Sequence, residues 1–210
     1  MKRIGIALFP GGQPHPDLAF ALQRLGLATH ILGHMECNLA ACQAIILPFP
    51  MSFGGYFRPG ALAAHTPLAK AIADFALQGG RTLGIGDGFA LLTELKLLPG
   101  ALLPNMSTRF LSTEISCHMA PAAPSAPWPL PQGKLKLHMA SYNANYVCPP
   151  GHNPQPQVAM RFAEENAFSH SGIAAISNTA GNVLGMLPIP ERHAEADGAK
   201  LLASLFSWAL

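Results

Sequence analysis

The sequence predicts an α/β domain built on a parallel sheet with helices on both faces, continued by antiparallel strands in its second half. Three observations carry that expectation. Short β-prone apolar runs alternate with helical runs through the first hundred residues, which is the rhythm of crossover-connected parallel strands. The second half has strand-like runs with no long helix between them. Half of the 210 residues are hydrophobic, enough for a single core in a chain of ordinary domain length, roughly 100–200 residues.

Taken in order, residues 4–9 (IGIALF) form a first strand, closed by the turn signal Pro10-Gly11-Gly12. A helix follows from Pro16, a residue suited to a first helical position, and Gly26 sits where a C-terminal cap belongs. Strands are expected at 28–32 and 44–48. Thr66-Pro67 opens a helix over 67–78 that Gly79-Gly80 closes, and the strand at 82–86 runs directly into a helix over 89–98, stopped by Pro99-Gly100. Beyond it, strands are expected at about 109–118, 134–140 and 158–162. The Pro-rich stretch 121–131 reads as an irregular surface loop. Runs 174–178 and 182–188 flank Thr179-Ala180-Gly181 as a hairpin, and apolar residues at helical spacing mark a final helix over 196–210. No internal repeat is visible, and residues 1–210 read as one domain.

Composition excludes several classes. Charged residues make up 11% of the chain, against about 25% in an average soluble protein, and disorder needs the opposite balance. The net charge is +2 with neutral histidines, and no run of Lys or Arg offers the counterion release that nucleic-acid binding requires. No stretch of about 18 apolar residues lacks polar breaks, so no membrane span is expected. The opening residues are too briefly apolar for a signal peptide. Four cysteines (Cys37, Cys42, Cys117, Cys148) then read as reduced thiols in a cytoplasmic protein.

Five segments carry a more specific signal. These are TLGIGDGFALLTELKLLPG at 82–100, GNVLGMLPIPER at 181–192, SFGGYFRPGALAA at 52–64, LLPGALLPNMSTRF at 97–110 and ASYNANYVC at 140–148. Keeping the family's order along nearly the whole chain, they resemble the PurQ family of class I glutamine amidotransferases, the glutaminase subunits of phosphoribosylformylglycinamidine synthase. The resemblance implies a flavodoxin-like, doubly wound, mostly parallel sheet with an antiparallel extension. In active members a Cys on a strand-to-helix elbow attacks the glutamine amide, a His with a Glu partner activates it, and ammonia passes to a PurL-type synthetase.

Placed on that pattern, the nucleophile position is Gly86, the base position is Ile189, and the acid is retained as Glu191. Glycine cannot form a thioester and isoleucine cannot accept a proton. The family's oxyanion loop reads Pro-Gly-Gly, whereas here Phe49 and Pro50 follow Pro48; proline has no N–H to offer an oxyanion. The Asn after the nucleophile is Asp87, and the family's H-G-E-G becomes Ser141-Tyr142-Asn143-Ala144. Family-type glutaminase chemistry is therefore not expected. The leading expectation is a non-catalytic subunit or regulator of a PurL-like or other ATP-dependent synthetase, with no cofactor of its own. The alternatives are an enzyme of altered chemistry in the same cleft using Asp87 or Glu191, or a small-ligand sensor.

Rival sites read more simply. Asp87 suits a helix N-terminus, where the dipole favours an acid. His30, His34, Cys37 and Cys42 match no common zinc spacing, so no metal site is expected. Cys117 and His118 are adjacent and would face opposite sides of a strand. Cys148 falls where some members of the resembled family also carry Cys and reads as structural, Ser141 has no nominated base, and the GxGxG at 84–88 lacks a nucleotide-loop context.

Overall fold

In the computed structural model, residues 3–12, 16–49, 60–120, 128–164, 169 and 171–210 are described. Four strands open the sheet: β1 (Arg3–Leu8), β2 (Thr29–Gly33), β3 (Cys42–Leu47) and β4 (Arg81–Ile85). The later strands are β5 (Ala101–Leu103), β6 (Leu111–Met119), β7 (Lys134–Ser141), β8 (Asn145–Val147), β9 (Val158–Phe162), β10 (Ile173–Ser177) and β11 (Val183–Met186). The helices are α1 (Pro16–Arg24), α2 (Pro67–Leu77), α3 (Asp87–Glu94) and α4 (Asp197–Leu205).

Nine strands share one sheet in the order β2-β1-β3-β4-β11-β10-β9-β6-β7. From β2 to β11 every neighbouring pair is parallel; from β11 to β7 every pair is antiparallel. The 2-1-3-4 start is the flavodoxin-like winding, and the antiparallel strands are the expected extension. Central strands β3, β4, β10 and β11 are buried almost end to end, as strands covered on both faces must be. Strands β6 and β7 alternate exposed and buried residues over much of their length, the mark of a sheet with one wet face.

The extension curls back on the parallel half. The chain leaving β11 donates from Leu187 N–H to Ala174 and then from Ile189 N–H to His138 on β7 at 2.7 Å, although β7 lies four strands away in the sheet. The Asp197 carboxylate accepts the Lys136 N–H at 2.8 Å. Together these contacts cover the outer edge of β7, a row of backbone groups that would otherwise invite strand pairing.

Thr66 caps α2 by accepting the Ala69 N–H at 3.2 Å, with Pro67 in the first turn. Helix α3 starts two residues earlier than expected and ends at Glu94 rather than 98: Lys96 turns left-handed (φ 57°), and Leu97 N–H returns to the Leu92 carbonyl. Helix α4 ends at Leu205, because Phe206 and Trp208 leave the helix to pack edge-on against Trp128. The three-residue strands β5 and β8 pair with each other; neither was legible beforehand. The Pro-rich loop lies outside the described residues over 121–127.

Candidate functional site

Strand β4 passes straight into α3 through Gly86, whose φ of 55° and ψ of −113° suit glycine and strain any residue with a Cβ. The glycines on either side of it are steric necessities. A Cβ on Gly84 would stand 2.6 Å from the Gly88 carbonyl oxygen, and one on Gly88 would collide with the Leu47 carbonyl. The helix thus sits directly on β3 and β4, and the residue between is pushed out at the strand's C-terminal end, the geometry of a nucleophile elbow.

The space at the elbow is tight. A Cβ on Gly86 would lie 3.0–3.3 Å from the Cβ, Cδ2 and Cγ of Phe49. The Arg192 guanidinium lies over that ring, 5.5 Å from its centroid. Pro50 lies outside the described residues. Beside β4, Gly86 N–H donates to the Met186 carbonyl at 2.8 Å, so the chain leaving β11 carries Ile189 and Glu191 away from the neighbouring strand end. The Ile189 side chain is fully buried. Glu191 lies in the 3-10 turn Pro190–His193.

Two carboxyls here are buried with one oxygen each lacking a partner: Asp87 Oδ2 and Glu191 Oε2. Burial pushes both up to about 7; for Glu191 the nearby Arg192 opposes the shift and Asp17 reinforces it. At Asp87 burial outweighs the helix N-terminal field, which acts in the other direction.

Curated relatives extend over the whole chain. The chain is 38% identical to "Phosphoribosylformylglycinamidine synthase subunit PurQ" of Parasynechococcus marenigrum, over 97% of this chain and 99% of the relative. The chain belongs to the PurQ family. A second relative of that name, from Aquifex aeolicus, is 36% identical over 98% of this PurQ-family chain and 99% of its own length. A solved PurLQS structure from Thermotoga maritima superposes with a TM-score of 0.88 at 30% identity, covering 100% of this chain and 99% of the other. A glutamine amidotransferase from Methylobacillus flagellatus, at 15% identity and a TM-score of 0.59, shares the fold over 92% of this chain and 73% of its own. No protein-family profile matches.

Within this PurQ-family fold the rival residues scatter. His30, His34 and Cys37 are exposed while Cys42 is buried, and among the described residues no three His, Cys, Asp or Glu side chains gather as metal ligands. Cys117 is buried and His118 exposed, on opposite faces of β6. Ser141 is buried, its hydroxyl accepting the Asn143 N–H at 2.8 Å. Cys148 donates its thiol to the His152 carbonyl at 3.3 Å.

Sequence reasoning missed the imidazoles near the base position. His138 lends its carbonyl to Ile189, and its Nε2 lies 3.0 Å from the Ser112 hydroxyl. His193 stands 6.5 Å from the His138 ring and 3.9 Å from the Glu114 carboxylate. Burial, then the charges of Arg192 and His193, push the His138 pKa down against Glu114. These neighbours meet through the curl of the sheet, and nothing in local spacing announces it.

Proposed function

We propose that this chain is a non-catalytic member of the PurQ family: a subunit or regulator of a PurL-type, ATP-dependent synthetase that has lost glutaminase activity. The observation that supports the reading best is Phe49 packed over Gly86. Not only is the nucleophile missing, but a Cβ in its place would press on Phe49 at 3.0–3.3 Å. A buried isoleucine at the base position and a buried Glu191 with no imidazole at 189 agree with it. The partner would then draw on free ammonia or another amine. The name of the Thermotoga maritima PurLQS assembly and that of the PurQ relatives support a PurL-type partner. The free cysteines and the absence, among the described residues, of a helix long and apolar enough to cross a membrane accord with action in the cytoplasm as one domain over residues 1–210.

The test is glutamate release from glutamine, with and without the synthetase subunit, its substrate amidine precursor and ATP. We expect none from the wild-type chain, while the complex turns over with ammonium salts. Gly86→Cys alone restores nothing. Glutamate release by the wild-type chain above a synthetase-only control would end this reading.

A second reading has its own observation: two buried carboxyls, Asp87 at the start of the elbow helix and Glu191 in the turn after β11, both pushed up into the range useful for general acid–base work. In that reading the cleft retains an altered chemistry. Turnover lost in Glu191→Gln, with folding unchanged, would favour it.

A further inference from the structure

A cavity lies at the end of the sheet opposite the elbow, beside the bond from Trp128 to Asn182. Four neighbouring strands, β6, β9, β10 and β11, give it Met119, Val158, Ser177 and Leu184, and residues 128–130 complete its wall. Its volume is about 220 Å³, whereas native interiors carry few voids larger than a water molecule. An apolar cavity of roughly 150 Å³ already holds a benzene ring. Empty space of this size costs stability, yet the walls are fastened so that they cannot close on it.

The Trp128 indole N–H donates to the Asn182 carbonyl at 3.2 Å, and its ring stands edge-on to Phe206 and Trp208. Ser204 of α4 donates its hydroxyl to the Pro129 carbonyl at 3.1 Å. Residues 128–130 therefore cannot settle into the cavity without breaking bonds to α4 and to the residue that precedes β11. Gln157 is fixed at both ends of its amide: Nε2 donates to the Ser177 carbonyl at 3.1 Å, and Oε1 lies 2.8 Å from His152 Nε2. Walls held in place before binding lose little entropy on association, the condition for a preformed ligand site.

The lining sets the ligand's chemistry. Among the described residues around the cavity none is charged or titratable, so a charged ligand would lose its hydration with nothing to replace it. The Trp128 indole and the Met119 thioether favour an aromatic ring. One buried polar group is poorly used: the Ser177 hydroxyl donates to the Gln157 carbonyl at 3.4 Å, beyond the usual range of about 2.5–3.0 Å for a hydroxyl donor. A nearer acceptor in the cavity would take that hydrogen. We propose that this cavity is a binding site for a small uncharged aromatic molecule, about two fused rings in size, with one hydrogen-bond acceptor for Ser177. Such a site stands whether or not the chain serves a synthetase.

The test titrates the full-length chain by calorimetry with quinoline, an uncharged bicycle whose ring nitrogen is an acceptor. Saturable binding is expected with a Kd on the order of 100 μM, ordinary for a ligand of this size. Naphthalene, the same shape without the acceptor, should bind about 10-fold more weakly, and quinoline carboxylate should not bind. Ser177→Ala should remove the difference between quinoline and naphthalene. Leu184→Phe should weaken quinoline binding at least about 10-fold by filling the space, and Ala159→Leu is a second filling variant for the case that the first does not fold. Absence of saturable quinoline binding to the wild-type chain overturns the site. So does binding that persists unchanged in the folded filling variants, or carboxylate that binds as tightly as quinoline, since the rings then sit elsewhere.

Discussion

The two ends of strands β4 and β11 are built to different standards. At their N-terminal end, Asn182 spends its whole side chain on structure: its amide donates to the carbonyls of Ala76 (2.7 Å) and Gly80 (2.9 Å), and its Oδ1 accepts from Asn178. Its carbonyl takes the Trp128 indole N–H at 3.2 Å. The Arg81 guanidinium, with one buried nitrogen lacking a hydrogen bond, stacks on Trp208 at 3.9 Å instead. At the C-terminal end stand Gly86 in its left-handed conformation and two buried carboxyls with unpartnered oxygens. In open α/β sheets ligands bind at that C-terminal end. The contrast teaches that the strained glycine and the buried carboxyls stand at the end where such sheets bind ligands, while the opposite end is tied together by hydrogen bonds and aromatic packing.

The contrast can be broken from either side. Trp128→Ala empties a buried aromatic site at the stabilising end, and we expect a loss of about 3–5 kcal/mol in urea unfolding. Asn182→Ala should cost somewhat less, about 2–3 kcal/mol, by leaving the Ala76 and Gly80 carbonyls without their donor. At the elbow, Gly86→Ala should cost about 1–3 kcal/mol through its positive φ and the Phe49 contact. A Phe49→Ala background should recover the contact share and leave the backbone share, which a double-mutant cycle separates.

The carboxyls give a further effect, and it depends on pH. Asp87 and Glu191 have folded-state values raised to about 7, above the range near 4 of an unfolded chain. The folded state therefore holds protons that the unfolded state has released, and stability falls as pH rises from about 4 to about 7. Asp87→Asn and Glu191→Gln should each flatten that fall and stabilise the protein at pH 8 relative to wild type. An unchanged urea midpoint between pH 5 and 8 in wild type would remove this account.

The same division governs what was legible in the sequence. The parallel half announced itself, because central strands are continuous apolar runs and Thr66-Pro67 and Gly79 are cap signals with a local mechanism. The elbow was legible through the resemblance, and the structure supplies its steric cause at Gly84 and Gly88. The ends of α3 and α4 were not. Their apolar spacing continues past the true stop, and what stops them is a left-handed Lys96 in one case and a long-range aromatic cluster in the other. Strands β5 and β8 are too short for any alternation to appear. The nearness of His138 to Ile189 comes from the curl of a nine-stranded sheet, which no local pattern encodes. Within the candidate site, the positions of Gly86, Ile189 and Glu191 and the loop position of Phe49 came from resemblance, whereas the contact of Phe49 with Gly86 appears only in the packing.

The aromatic cluster at the stabilising end has a practical consequence. The chain has two tryptophans, Trp128 and Trp208, with ring centroids 6.4 Å apart. Intrinsic fluorescence excited in the indole band therefore reports on one end of the sheet, where the C-terminal segment covers β4. Detachment of that segment would register as a change in emission well before the sheet opens. A small molecule settling at the elbow, beyond the full length of β4, would leave the emission unaltered. Fluorescence is thus a good probe of C-terminal undocking in this protein and a poor one of elbow occupancy, for which a tryptophan substituted at Phe49 would supply the signal.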